Sequence, residues 1–320
     1  MADVKISALP TETTAGSGDL IPVDAGGTTK AITVANLFTA PVFGSYSDST
    51  AVSDPSAPGA STLREYAQTV CGRPVPRVIG PAGAARNLQS ALYSANHIIW
   101  YPSGATAGTW LGDAAAQNGT FANVAIATTN KYTTIKRSSY KNVVTTTNQS
   151  VGQASSNNVF FISSTAGIGG FFFFCRFGLE AWTAGNRMFV GLCTNATPLA
   201  AEPDTLLNAC GFIIDAADTA WHFFSANGST GTETTISGQT ALAANLGYDV
   251  YMYVAAGGGT LYFRMDEIVA GTTLIDSSTT TTLPANNVTM RPVAMAGNAA
   301  NTSAGAAGIG INKIYVESDY

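Results

Sequence analysis

Charged side chains are scarce in this sequence. Only 11% of the 320 residues are Asp, Glu, Lys or Arg, against about 25% in an average soluble domain. The 15 basic and 20 acidic residues leave a net charge of −5, so the chain lacks the positive charge that nucleic-acid-binding proteins use to contact phosphates. We therefore expect no nucleic-acid partner, and we expect Thr, Ser, Asn and Gly to cover the surface, as in many all-β extracellular and virion proteins.

Long apolar runs are also missing. Runs such as Phe171–Cys175 are far shorter than the roughly 18 residues that a membrane-spanning helix needs. The first ten residues contain no apolar segment of the kind found in secretory signals. We therefore expect no insertion into a membrane and folding in a reducing cytoplasm.

Cysteine and histidine, the usual ligands of transition metals, are few and scattered. The four cysteines lack CxxC spacing: Cys71, Cys175, Cys193 and Cys210. The last three lie in apolar strand-like segments, which favours buried free thiols over disulfides or metal ligands. His97 and His222 both lie beside apolar strand residues, without the G-x-S-x-G motif or metal spacing. The sequence therefore predicts half-buried histidines, no metal, no cofactor and no enzyme activity.

Two carboxylates at one sugar bond are needed for glycoside hydrolysis, so adjacent acidic residues are candidates for such a site. Asp266 and Glu267 are adjacent in the body of the chain, but alternation along a strand would place them on opposite faces. Asp215 and Asp218 flank a turn, where such residues accept hydrogen bonds from backbone amides. We interpret all four as structural.

Strand patterns dominate from residue 79 to residue 320. Tyr248–Val254 alternates, with Tyr248, Val250, Met252 and Val254 on one face, and a glycine-rich turn then leads into a returning strand at Thr260–Met265. Phe171–Leu179 is apolar on both faces, which is typical of a central strand covered on both sides. The expected fold is all-β, a β-sandwich or jelly roll.

A polar segment separates this body from a small N-terminal part. Residues 43–78 are rich in Ser, Pro and Gly, and we interpret them as a linker. Inside it, Thr62–Glu65 matches a capping box, with Leu63, Tyr66 and Val70 following at helical spacing. We therefore predict a short helix at 61–70 whose three apolar residues form an oligomeric neck.

Residues 1–42 form the third predicted part, a β-hairpin followed by a helix-like start. About 40 residues without disulfides or metal bury too little apolar surface to fold alone, so this part should dock on another polypeptide. The apolar residues expected to make that anchor are Ile6, Leu9, Leu20, Ile21, Val23, Ile32, Val34 and Leu37.

The same part resembles the N-terminal segment of tailed-bacteriophage tail fibres and tailspikes. The resemblance is carried, in this order, by Lys5–Pro10, Asp19–Val23, Gly27–Lys30 and Thr33–Leu37. In that family the segment attaches to the virion, which implies that residues 1–42 are a virion-attachment segment and that the partners are other virion proteins.

The body resembles a C-terminal domain of many phage virion proteins, a lectin-like, concanavalin-type β-sandwich. The segments that carry this resemblance are Phe171–Gly178, Arg187–Leu192, Pro203–Asn208, Asp215–Trp221, Leu283–Asn286 and Ile314–Tyr320. It implies a fibre or receptor-binding component, commonly a homotrimer, located in the virion and assembled in the bacterial cytoplasm.

These expectations predict a tail-fibre or receptor-binding subunit that binds host surface polysaccharide. Sugars stack on exposed aromatic rings, and Trp110, in a glycine-rich loop, is the best candidate, with Tyr101 a further one. We expect the other tryptophans, Trp100, Trp182 and Trp221, to be core residues. Two alternatives stay open: a capsid decoration, head-fibre or collar protein, and a capsule depolymerase.

Overall fold

The structure of the chain is a computed structural model. It describes residues 20–24, 29–33, 51–81, 85–87, 97–102, 120–142, 147, 150–301 and 306–318. The chain divides into two compact units, residues 1–50 and residues 51–320. Among the described residues, no helix is long and apolar enough to cross a membrane.

Almost all regular structure in the described residues is β-strand. The strands are β1 Leu20–Asp24, β2 Thr29–Thr33, β3 Arg64–Val70, β4 Arg73–Ile79, β5 Ala85–Asn87, β6 His97–Trp100, β7 Thr120–Val124, β8 Arg137–Lys141, β9 Ser150–Ala154, β10 Phe171–Ala181, β11 Arg187–Cys193, β12 Ala209–Ile214, β13 His222–Ala226, β14 Gly231–Thr235, β15 Gly247–Val254, β16 Leu261–Glu267, β17 Thr272–Thr279, β18 Arg291–Gly297 and β19 Gly308–Ser318. Two short 3₁₀ helices, Pro198–Ala200 and Pro203–Thr205, lie between β11 and β12.

The larger unit is a β-sandwich of two antiparallel sheets. One sheet has eight strands in the order β17-β16-β15-β10-β19-β8-β7, with β6 also paired to β19, and the other has the order β14-β13-β12-β11-β18-β9. A third, small sheet has the order β3-β4-β5. The predicted all-β sandwich is therefore confirmed.

The main core lies between the two large sheets. Strand β10 contributes Phe173 and Phe177 from one sheet, and β12 contributes Phe212 from the other, all fully buried. Burying one such ring is worth roughly 1.5–3 kcal/mol, so this interface carries most of the stability. A second cluster covers the outer face of the six-stranded sheet, where Leu199 and Leu206 pack over that sheet.

The expected central strands and hairpin are confirmed. Strand β10 lies between β15 and β19, and the four predicted inward residues of β15 are all buried. Strand β16 returns along β15 with Met252 opposite Phe263. Cys175, Cys193 and Cys210 are free and buried, as expected, and Cys71 is free and buried as well.

The predicted helix at 61–70 is wrong, because this stretch forms a hairpin. Arg64–Val70 pairs antiparallel with Arg73–Ile79, joined by a two-residue turn at Cys71 and Gly72. Both turn residues have positive φ, +49° and +72°, the conformation that tight hairpin turns require. The Thr62 hydroxyl donates to the Gly59 carbonyl at 2.6 Å, so it is used in a preceding turn. The apparent capping box therefore begins no helix.

The proposed neck residues do not share one face. Leu63 is 62% exposed, whereas Val70 is buried against the sandwich. Tyr66 donates its hydroxyl to Asp54 at 2.6 Å. A helical oligomeric neck made from these three side chains is therefore absent, and the segment 51–81, predicted to be linker, belongs to the larger unit.

The smaller unit contains one described hairpin. Strands β1 and β2 pair antiparallel, with Ile21 opposite Ile32, as the sequence predicts for this turn-flanked pair. Ile6, Leu9, Val34 and Leu37 lie outside the described residues.

A pair of glycines lets strands β11 and β12 approach closely at their centre. Gly191 pairs with Gly211, and a Cβ on Gly191 would lie 2.2 Å from the Cys210 carbonyl oxygen. We expect Gly191→Ala to lower the free energy of unfolding by about 1–3 kcal/mol, since overpacking forces the backbone to shift. Urea unfolding measures this loss.

The matched control is Gly259→Ala, in a turn where no heavy atom lies within 4 Å of the added Cβ. This variant should unfold close to the wild-type midpoint. Equal effects of the two substitutions would contradict the close packing of β11 against β12.

Candidate functional site

A close group of carboxylates and one histidine lies at one end of the six-stranded sheet. Its members come from the second 3₁₀ helix, the β12–β13 turn and strands β13 and β14, and we call them the carboxylate–histidine cluster: Asp204, Asp215, Asp218, His222 and Glu233. Alternation along β13 places His222 on the outer face, because Phe223 packs in the main core and Phe224 in the outer cluster.

Backbone hydrogen bonds hold the carboxylates in place. The Asp215 amide donates to Asp218 Oδ2 at 3.1 Å, and the Asp218 amide donates to the Asp215 carbonyl at 3.0 Å. The Asp204 amide donates to Asp215 Oδ1 at 3.3 Å, which ties the 3₁₀ helix to the turn. Asp218 therefore accepts a backbone amide within the turn, as predicted, whereas the Asp215 side chain accepts one from outside the turn. Both residues also belong to the larger cluster.

His222 lies between two carboxylates. Its Nε2 is 3.8 Å from Asp218 Oδ1, and its Nδ1 is 3.4 Å from Glu233 Oε2. The Nδ1 atom is buried without an aligned hydrogen-bond partner. The imidazole side chain is 17% exposed, so it is half-buried as the sequence predicts.

Burial, together with repulsion between the carboxylates, raises the pKa of two members of the cluster. Burial, followed by the charges of Asp204, Glu233 and Asp218, raises the pKa of Asp215 to about 7. Burial also raises the pKa of Glu233, while His222 opposes that rise. Neutral pH therefore leaves Asp215 poised between its protonated and ionised forms.

The arrangement has the donor set of a divalent-cation site. One ligand atom from each of Asp218, His222 and Glu233 lies within 4.8 Å of the others, and the same holds for Asp204, Asp215 and Glu233. Carboxylate oxygens suit Ca²⁺, Mg²⁺ and Mn²⁺, and an added imidazole suits Mn²⁺ or Zn²⁺. Burial is the main reason that the pKa of Asp215 is raised, and a bound cation would offset the further contribution from the neighbouring carboxylates.

The other predicted carboxylates are held in internal pairs. Asp266 accepts from Arg264 Nε at 3.0 Å and from the Thr273 hydroxyl at 2.7 Å. Glu267 is buried and accepts from the Thr240 hydroxyl at 2.9 Å. Asp266 is half-buried and Glu267 is buried, as alternation along β16 predicts. Both residues nevertheless border one cavity of about 230 Å³ at the end of β15 and β16, which alternation alone does not predict. Their hydrogen bonds to Arg264, Thr273 and Thr240 support the structural role expected of them.

Aromatic candidates divide into buried and exposed rings. Trp100 and Trp221 are buried and Trp182 packs against the core, which confirms the predicted core role. Tyr101 is 65% exposed, and it is the exposed aromatic ring that follows β6. His97 is exposed rather than half-buried, because it lies on the terminal strand β6. Trp110 lies outside the described residues.

Sequence reasoning missed Asp204 and Glu233 as members of the cluster. Asp204 precedes Asp215 by 11 residues, and Glu233 follows on the next strand but one from β12. No local motif joins them. Strand pairing is the signal that could have found Glu233. It lies opposite Phe224 in the β13–β14 pair, and Phe224 is on the same face of β13 as His222.

Solved structures similar to this chain include lectins. A protein of unknown function from Shewanella oneidensis MR-1 has a TM-score of 0.46 and 14% identity, with 72% of this chain and 90% of that chain covered. Peanut lectin has a TM-score of 0.44 and 10% identity, with 70% and 97% covered. Arcelin-5, a lectin-like defense protein from Phaseolus vulgaris, has a TM-score of 0.40 and 11% identity, with 71% and 99% covered. No protein-family model and no curated protein sequence matches the chain.

Removing the negative charge of Asp215 should stabilise the folded chain at high pH. A carboxyl with a raised folded-state pKa gives stability that is present below its unfolded pKa of about 4 and is lost as pH rises to about 7. We expect Asp215→Asn to match wild type near pH 4 and to be more stable at pH 8 by roughly 1 kcal/mol, allowing for solvent screening. The Asn oxygen keeps the hydrogen bond from the Asp204 amide. Urea unfolding at both pH values measures the difference.

Asp276→Asn is the control, because Asp276 lies outside the cluster and pairs with Arg264 at 3.4 Å. It should give no stabilisation at pH 8. The comparison is made in the presence of a chelator. If wild type and Asp215→Asn then have the same stability at pH 8 and the same pH dependence, the ionised Asp215 does not destabilise the folded chain and the prediction is wrong. In wild type, Ca²⁺ or Mn²⁺ that binds the cluster should raise stability at pH 8 more than in Asp215→Asn.

Proposed function

We propose that this chain is a bacteriophage virion structural protein, a tail-fibre or receptor-binding subunit that binds host surface glycan. In this proposal residues 1–42 attach to other virion proteins and the sandwich is the distal, glycan-binding body. The observation that carries the proposal is the division into a small N-terminal unit and a large sandwich. That division follows the order of anchor and body in the virion proteins that the sequence resembles.

The N-terminal unit supports the attachment role through its size. It contains the hairpin β1–β2, and 50 residues bury too little apolar surface to be stable without a staple or a partner. A second polypeptide would supply the missing burial. Tail or capsid proteins are the partners that the sequence resemblance implies.

The body supports a binding role through its surface. A chain with 11% charged residues presents mostly short polar groups, and hydrogen bonds from such groups together with aromatic stacking are the usual means of holding sugars. Tyr101, with 65% of its surface exposed, offers one such ring, and Trp110 is proposed as a second. Several weak contacts on linked copies would add through effective concentration. The homotrimer in this proposal rests on the family resemblance alone.

The first experiment separates attachment from binding. A variant that lacks residues 1–50 should fold as the sandwich, bind isolated host surface polysaccharide and fail to join particles in a complementation assay. The complete chain should do both. A truncated chain that still joins particles would overturn the anchor, and loss of its circular-dichroism strand signal would show that the sandwich depends on the first unit.

A second experiment tests the aromatic contact. Tyr101→Ala should weaken polysaccharide binding about tenfold, since stacking on one ring contributes on the order of 1 kcal/mol. Leu63→Ala is the control, because Leu63 is exposed to a similar degree, 62%, on the β3–β4 hairpin. Equal affinities of both variants and wild type would remove Tyr101 from the site.

The same polysaccharide assay discriminates the alternatives. A fall in polysaccharide length would indicate a depolymerase, and Asp215→Asn should then abolish the cleavage while Asp266→Asn keeps it, since Asp266 is tied to Arg264 and Thr273.

A pull-down with the tagged full chain tests the other alternative. If it recovers the major capsid protein instead of tail proteins, the chain is a decoration, head-fibre or collar protein.

A further inference from the structure

The β3–β4 hairpin touches the sandwich mainly through its turn. We call residues 64–79 the strap. Three of its buried side chains, Val70, Cys71 and Val75, form an apolar cluster separate from the main core, and Ile79 at the end of β4 is buried as well. They pack on the outer face of the eight-stranded sheet, against the partly buried side chains of Tyr251, Tyr253 and Tyr262. Most of the remaining length of β3 is exposed or half-buried.

The turn fits its seat closely. Gly72 has φ +72°, and a Cβ there would lie 2.4 Å from Cγ of Tyr262. The Cys71 thiol donates to the Tyr251 carbonyl at 3.5 Å. A glycine at this position therefore provides both the turn conformation and the room for the tyrosine ring.

One buried ion pair joins the strap to the sandwich. Arg73 pairs with Glu317 of β19, and the two side chains are 12% and 0% exposed. The Arg73 guanidinium also lies 5.1 Å from the Phe172 ring centroid and 5.7 Å from that of Tyr253. The Tyr315 hydroxyl also donates to Glu317. Loss of Arg73 would remove the positive charge beside this buried carboxylate, and lifting the strap would let water reach it.

The strap is held together by bonds of its own segment. Arg77 pairs with Asp54 at 2.9 Å and also donates to Gln68. The Val52 amide donates to the Ala67 carbonyl at 2.9 Å. These contacts lie within residues 51–81, so they persist when the turn leaves its seat.

We infer that the strap is a releasable element, which leaves the outer face of the eight-stranded sheet while the sandwich stays folded. Small apolar clusters with exposed flanking strands open at lower free energy than a main core. Docked, the strap fixes the place where the chain enters the sandwich. Released, it would let the sandwich reorient on its attachment, a consequence that rests on the proposed function, whereas the release itself does not.

The four cysteines allow a direct test in the full chain. Burial raises the pKa of each thiol above its ordinary range, so reaction requires opening. Cys71 reports the strap, whereas Cys175, Cys193 and Cys210 lie in β10, β11 and β12 and report the sandwich. Alkylation with N-ethylmaleimide in native buffer, followed by peptide mass spectrometry, should modify Cys71 at least about tenfold faster than the other three.

Variants locate the contacts that hold the strap. Arg73→Gln should accelerate the alkylation of Cys71 by a further factor of about ten and leave the other three thiols unchanged. Gly72→Ala should act in the same direction by displacing the turn from Tyr262. The control Arg77→Gln removes a charge whose partners Asp54 and Gln68 lie within the same segment, so it should leave the Cys71 rate within about twofold.

One rate shared by all four thiols in wild type, with the same dependence on urea, would overturn the inference, because strap and sandwich would then open together. Equal acceleration of all four thiols by Arg73→Gln would overturn it as well. Neither result depends on glycan binding or on attachment to a virion.

Discussion

Burial of the two large sheets against each other is the interaction on which the rest of the structure depends. It fixes which residues of these two sheets point inward, since Phe173 and Phe177 of β10 share one core with Phe212 of β12. The outer faces are then free for other tasks. One carries the strap around Val70 and Val75, and the other carries the apolar cover that places the carboxylate–histidine cluster beside it.

Much of this fold could be predicted because the hydrophobic pattern of a strand is visible within its own residues. Alternation along Tyr248–Val254 and the apolar run at Phe171–Leu179 require no knowledge of partners. The stretch at 61–70 misled because Leu63, Tyr66 and Val70 also fit a helix. A two-residue turn with positive φ at Cys71 and Gly72 decides for a hairpin, and the tyrosines that seat it are about 180 residues away in sequence.

The site was less predictable than the fold. Asp215 and Asp218 indicate a turn in the sequence. The carboxylates of Asp204 and Glu233 lie beside them only in the folded chain, because the 3₁₀ helix and strand pairing bring these residues to the same place. The raised pKa of Asp215, about 7, results from its burial and from the charges of these neighbours. Local spacing carries no trace of it, because the neighbours lie on different elements.

The central claim is that the small N-terminal unit attaches a glycan-binding sandwich to the virion's tail. Immunogold electron microscopy of intact particles, with antibody raised against residues 51–320, tests it most directly. The account predicts gold at the tail tip or baseplate, and on particles that carry the complete chain but not on those supplied with the chain lacking residues 1–50. Gold spread over the capsid, or particles without label, would contradict it.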